Sequence, residues 1–61
     1  MSEAQLSAYR YDVAKVIREL QHQAGELDLI ILKTPTGQVR NDLTEGVIHL
    51  QEAIGRLLNV V

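Results

Sequence analysis

Cysteine, tryptophan and phenylalanine are all missing from this 61-residue chain, and proline occurs once. Without cysteine there can be neither disulfides nor thiolate metal sites. Without the large aromatics the core must be built from Leu, Ile, Val and Ala, with Tyr9 and Tyr11 the only rings. No long hydrophobic run is present: Leu29-Ile30-Ile31-Leu32 is the longest, against the about 20 apolar residues that a membrane span needs. Nor is there an excess of basic charge. Six Lys and Arg against eight Asp and Glu give a net charge of -2, so no overall field exists to hold duplex DNA. The opening Met1-Ser2-Glu3-Ala4 lacks the basic and apolar regions of a secretory signal. The expectation is a soluble cytoplasmic protein.

What the chain does have is helical periodicity. Ser2 followed three residues later by Gln5 is a capping box, in which each side chain serves the other's backbone amide. Leu6, Tyr9, Val13, Val16 and Leu20 then recur at three- and four-residue steps, and Ala24, Leu27 and Ile31 continue the stripe after a four-residue step that shifts the seam. Gly25 weakens a helix interior without breaking this period. A strand over Leu27 to Leu32 is the alternative, but its backbone groups would have no partner. The spacing therefore predicts one helix over residues 3–33.

Thr34-Pro35-Thr36-Gly37 is the one strong breaker, because proline disfavours helix at the residue before it. Beyond this turn, at residues 34–37, Val39, Leu43, Val47, Leu50, Ile54, Leu57 and Val61 predict a second helix over residues 38–60. Its start is open between Thr36 and the Asn41-Asp42 pair as caps. The fold class is all-α, a single antiparallel two-helix hairpin.

A chain of this size buries only about 60% of its unfolded surface, and small scaffolds add disulfides, a metal or subunit association. Leu29, Ile30, Leu32, Ile48 and Leu58 lie beside the two seams. They predict a homo-oligomer, at least a dimer, with a dimeric four-helix bundle as the default. Gly46, Ala53 and Gly55 would permit close helix approach, although small residues also occur on helices without that purpose.

Patterns that carry chemistry are sparse. Glu19-Leu20-Gln21-His22 has the Glu-x-x-His spacing of di-iron bundles. It also belongs to the stripe Asp12, Lys15, Glu19, His22 and Glu26, which has the makings of a solvated face. His49 with Glu45 and Glu52, and Glu52 with Arg56, read as surface pairs. Few hydroxyls, no thiol and no Gly-rich phosphate loop leave no assembled nucleophile. The expectation is no catalytic residue, no metal, no cofactor and no enzyme activity.

One region suits a small anion. Lys33, Arg40, Asn41 and Thr44 gather around the turn and the start of the second helix, where unpaired amides and the helix dipole favour negative charge. Arg40 and Thr44, one turn apart, could reach one phosphate together. The competing reading is that Arg40 solvates a helix end and Thr44 is incidental. Tyr11, off the seam, is a candidate platform for a nucleobase, but it lies about 33 Å along the helix from Lys33. A pocket using both ends must be built between subunits.

From Ala24 to Asn59 the order of Pro35 with Gly37, Arg40, Thr44 and then Leu50-Gln51-Glu52-Ala53 resembles small phage helical-hairpin proteins that sequester cyclic-nucleotide immune signals. The resemblance covers a little over half the chain. It implies a non-enzymatic homo-oligomeric sponge acting against bacterial defence systems such as CBASS and Thoeris, holding a cyclic nucleotide at subunit interfaces. Arg40 and Thr44 would then bind phosphate. A different reading rests on the fold alone: a hairpin module that regulates a protein or a structured RNA.

Overall fold

The computed structural model describes residues 2–61. Two helices, α1 (Glu3–Lys33) and α2 (Gln38–Leu58), pack against each other, and no strand occurs among the described residues. The capping box closes as its residue types dictate. Gln5 N–H donates to Ser2 Oγ over 3.2 Å, and Ser2 N–H donates to Gln5 Oε1 over 3.0 Å. From there α1 runs without interruption through Gly25 and through Leu27 to Leu32.

The turn ends α1 through Thr34, whose amide donates to the Ile31 carbonyl (3.1 Å) and whose hydroxyl donates to the Ile30 carbonyl (2.7 Å). Gly37 caps α2 at φ 154°, a backbone region in which a side chain is strained. Neither Thr36 nor Asn41-Asp42 supplies the cap. No side chain does, and Asp42 Oδ1 instead accepts from Gln38 Nε2 over 2.7 Å.

The seam differs from the expected stripe in its first half. Ile17 is 2% exposed, whereas the expected Val16 is 49% exposed. The residues of α1 that are not exposed are Val13, Ala14, Ile17, Leu20, Ala24, Leu27 and Ile31; apart from Ala14 they form an unbroken alternation of four- and three-residue steps with no shift. On α2 the inward set is Arg40, Leu43, Val47, Leu50, Ile54 and Leu57. Val39 is 67% exposed and Val61 is exposed beyond the helix end, so neither belongs to the seam. In heptad terms, Ile17, Ala24 and Ile31 occupy position a and Val13, Leu20 and Leu27 position d. On α2, Arg40, Val47 and Ile54 occupy a, and Leu43, Leu50 and Leu57 occupy d.

Ile17, Ala24 and Ile54 form the buried centre, with Val13, Leu20, Leu50 and Leu57 packed around it. Counting equal rises from the turn stacks Ala24 level with Val47 and Ile17 with Ile54, and brings Val13 within one residue of the level of Leu57. Beyond that level α2 stops. It has 21 residues against 31 in α1, so the first turns of α1, with Leu6 and Tyr9, extend past it and are exposed.

The resulting rod has Cα extents of 51 × 15 × 10 Å and exposes 4888 Å². A compact monomer of its 6.8 kDa mass exposes about 3,950 Å². The hairpin thus carries roughly 900 Å² more surface than its size warrants. Gly25, Gly46 and Gly55 do not mediate the α1–α2 contact, since a Cβ at any of them meets nothing within 4 Å.

Two glycine substitutions test this description with opposite signs. Gly25→Ala should stabilise the fold by about 0.5–1 kcal/mol, because it sits in an open helix interior. Gly37→Ala should destabilise it by about 1 kcal/mol or more through its strained φ. Urea unfolding followed by circular dichroism at fixed protein concentration measures both.

Candidate functional site

Arg40 is set apart by its environment. Among the described residues it is the one charged side chain that is not exposed. It holds the first a position of α2, where the heptad would otherwise place an apolar residue, and it lies level with Ile31 at the turn end of the seam. No carboxylate lies within 4.0 Å of any Lys or Arg among the described residues, so Arg40 has no ion-pair partner there. The ion pairs that form are His22 Nε2 to Glu26 Oε1 (3.0 Å) and His49 Nδ1 to Glu52 Oε2 (3.7 Å), all four groups well exposed.

The surroundings of Arg40 favour an anion from one side and a cation from the other. The N-terminal amides of α2 have no side-chain cap and carry the positive end of that helix's dipole. Across the turn, the last carbonyls of α1 carry the negative end of its dipole, and Thr34 occupies two of them. Two roles follow for the guanidinium: it can reach outward to an anion, or it can serve the α1 C-terminus.

The neighbours are not equally placed to help it. Thr44 donates its hydroxyl to the Arg40 backbone carbonyl over 2.8 Å, so its proton is engaged within the helix and only its lone pairs remain for a ligand. Asn41 is exposed one position further round α2, and Lys33 is exposed at the last position of α1. Tyr11 is 66% exposed, near the opposite end of the rod.

The remaining polar patterns separate into surface features. Glu19 makes no pair with His22, which turns to Glu26, and Glu52 pairs with His49 in preference to Arg56. No group of three or more His, Asp or Glu among the described residues is placed to hold a metal ion. A shallow depression lined by Gln21, His22, Gly25, Glu26 and Leu29 lies on the outer side of α1, open to solvent. None of the described helices is long and apolar enough to cross a membrane. Comparison with family models, curated proteins and solved structures finds no match to the chain.

The position of Arg40 was readable in the heptad only once the seam was fixed. Counting from Val39 puts the arginine on a flank, whereas counting back from Leu43 and Val47 puts it in the core line. A charged residue in that line costs stability that an apolar one would add. Arg40→Met should therefore raise the unfolding free energy by about 1 kcal/mol. If the guanidinium serves mainly the α1 carbonyls, the same substitution lowers stability instead, and thermal melts at matched concentration distinguish the two.

Proposed function

We propose that this chain is a non-enzymatic binding protein that associates with copies of itself and holds a small phosphate-bearing ligand at its turn end. The observation that carries the reading is Arg40: a partly buried arginine with no carboxylate partner among the described residues, at a position in the apolar line and beside the uncapped amides of α2. A charged residue where the heptad would place an apolar one is a candidate binding residue. Lys33 and Asn41 add exposed donors around it, and the Thr44 oxygen can accept from a ligand hydroxyl.

The resemblance to phage hairpin sponges narrows the ligand class to cyclic nucleotides, whose phosphates suit a guanidinium and whose capture needs no chemistry. Sequestration also fits the absence of any assembled nucleophile, base and orienting group in the sequence. Self-association is supported by the surplus surface and by the exposed apolar residues Leu29, Ile30, Leu32, Ile48 and Leu58.

A thermal-shift panel of cyclic dinucleotides, cyclic trinucleotides and cyclic ADP-ribose isomers, with inorganic phosphate as the minimal probe, tests this directly. A true ligand at 100 times its Kd stabilises the folded state by about 2.7 kcal/mol, roughly 10 °C or more for a chain of this size. Arg40→Met should remove that shift while retaining the fold. No shift across the panel at ligand excess eliminates the cyclic-nucleotide reading.

A further inference from the structure

Antiparallel pairing sets heptad position e of one helix beside e of the other and g beside g, which gives the hairpin two broad sides, one made by positions b and e and the other by c and g. The b/e side is exposed apart from the partly buried Ala14, and it presents Leu32 (73% exposed), Ile48 (51%) and Leu58 (48%). Ala14, Gly25 and Gly55 keep parts of it low, and a Cβ at either glycine would meet nothing within 4 Å. Among the described residues the side chains of Arg18, at b, and Asp28, at e, are the only charges on it. Neither has an ion-pair partner among those residues.

We infer that the b/e side is the contact surface for a second copy of the chain, related by a two-fold axis perpendicular to the helices that stacks α1 on the partner's α1 and α2 on the partner's α2. The placement of the two charges selects this occupant and this axis. Counting equal rises from the turn, the section in which both helices are present runs from the level of Val13 to that of Lys33, and its midpoint is the level of Gln23 and Ile48. A two-fold axis at that midpoint lays the whole two-helix section on its partner. It also sets Arg18 level with the partner's Asp28, twice by symmetry, because the two residues are equally far from Gln23 along α1. The same axis brings Ile48 to the partner's Ile48 and sets Leu32 level with the partner's Ala14, a large side chain against a small one.

The other arrangements lack this match. An axis parallel to the helices preserves levels and stacks α1 on the partner's α2. Arg18 then lies between the levels of the partner's Gln51 and the partner's Gly55, and Asp28 between those of the partner's Thr44 and the partner's Asn41. Both charges are covered without a counter-charge, which costs stability. The c/g side is more apolar along its g line, but its c positions carry Glu19, Glu26 and Asp42. At the same overlap the perpendicular axis sets Glu26 within one residue of the level of the partner's Glu19, and the parallel axis sets it closest in level to the partner's Asp42. Like charges oppose each other there about either axis.

The b/e geometry unites residues that one hairpin keeps apart. Tyr11 is on this side and in the overhang of α1, and the axis carries it past the end of the partner's α1 and over the partner's turn. There it stands about one helical turn beyond the level of the partner's Arg40. Asn41 and Thr44 are on the same side. Each turn-end site of the dimer therefore receives an aromatic ring from the other copy.

This inference rests on the self-association in the proposed function, and three measurements separate their failures. Sedimentation equilibrium at hundreds of micromolar should give about twice the 6.8 kDa chain mass. A chain that stays monomeric overturns both, whether or not it then binds vesicles of phosphatidylcholine and phosphatidylglycerol. Arg18→Asp should weaken the dimer about tenfold or more, and Asp28→Arg in the same chain should restore it. The two positions are too far apart on α1 to meet within one chain, so rescue must come from the partner. A dimer indifferent to Arg18→Asp, or not restored by the swap, overturns this interface and leaves self-association standing. Thr36→Cys, the sole cysteine once introduced, carries a nitroxide label at the exposed turn. The perpendicular axis places the two labels roughly 40 Å apart, at about 1.5 Å per residue. A separation of roughly 10–30 Å, expected when both turns lie at one end with interaxial distances of about 8–10 Å, overturns the geometry. A nucleotide panel without a shift overturns the ligand reading and leaves this interface standing.

Discussion

The seam between α1 and α2 is the constraint on which the rest of the hairpin depends, because two helices have a single mutual face to bury. Ile17, Ala24 and Ile54 are at its centre. With Val47 they are the buried hydrophobic residues among those described. Ala24, fully buried with the smallest side chain of the set, lets the helices approach where Val47 lies level with it. Fixing a backbone of this length costs on the order of 1–2 kcal/mol per residue, and a strip of core this narrow leaves little to offset that cost. The same geometry that makes the fold simple therefore makes further burial valuable.

The helices themselves were legible in the sequence because their signals are local. Ser2 and Gln5 specify a start, Pro35 and Gly37 an interruption, and the apolar period the stretches between them. The register of the seam was not legible, and the reason is specific. Val16 and Ile17 are adjacent and both apolar, so two stripes pass through α1, and periodicity alone cannot say which one faces α2. In the structure Ile17 is buried and Val16 is exposed. Leu6 and Tyr9 extend one stripe toward the start of α1, where α2 does not reach, and the seam runs instead from Val13 through Ile17 to Leu20.

The candidate site shows the same limit. Lys33, Arg40, Asn41 and Thr44 are neighbours in any hairpin that turns at Pro35, so their proximity follows from the chain order. What the chain order could not convey is the inequality among them. Thr44 directs its proton to a helix carbonyl, a local competition that short hydroxyl side chains often enter. Arg40 alone is drawn into the seam line, because the a position falls on it when counted from Leu43 and Val47. A capping residue at Thr36 or Asn41 would have satisfied the α2 amides. Gly37 leaves them uncapped by any side chain, and that end of the helix keeps its attraction for anions.

These features bear on one another through the unequal helix lengths. Burial is non-directional, so the packed seam extends only as far as both helices do. The first turns of α1 carry Leu6 and Tyr9 past the end of α2, and Tyr11 is exposed near that same end. At the turn end both helices are present, and there Arg40 falls in the seam line beside amides of α2 that no side chain caps. The two ends of one simple hairpin thereby differ in kind: exposed apolar and aromatic side chains at one, and a partly buried arginine with a helix N-terminus at the other.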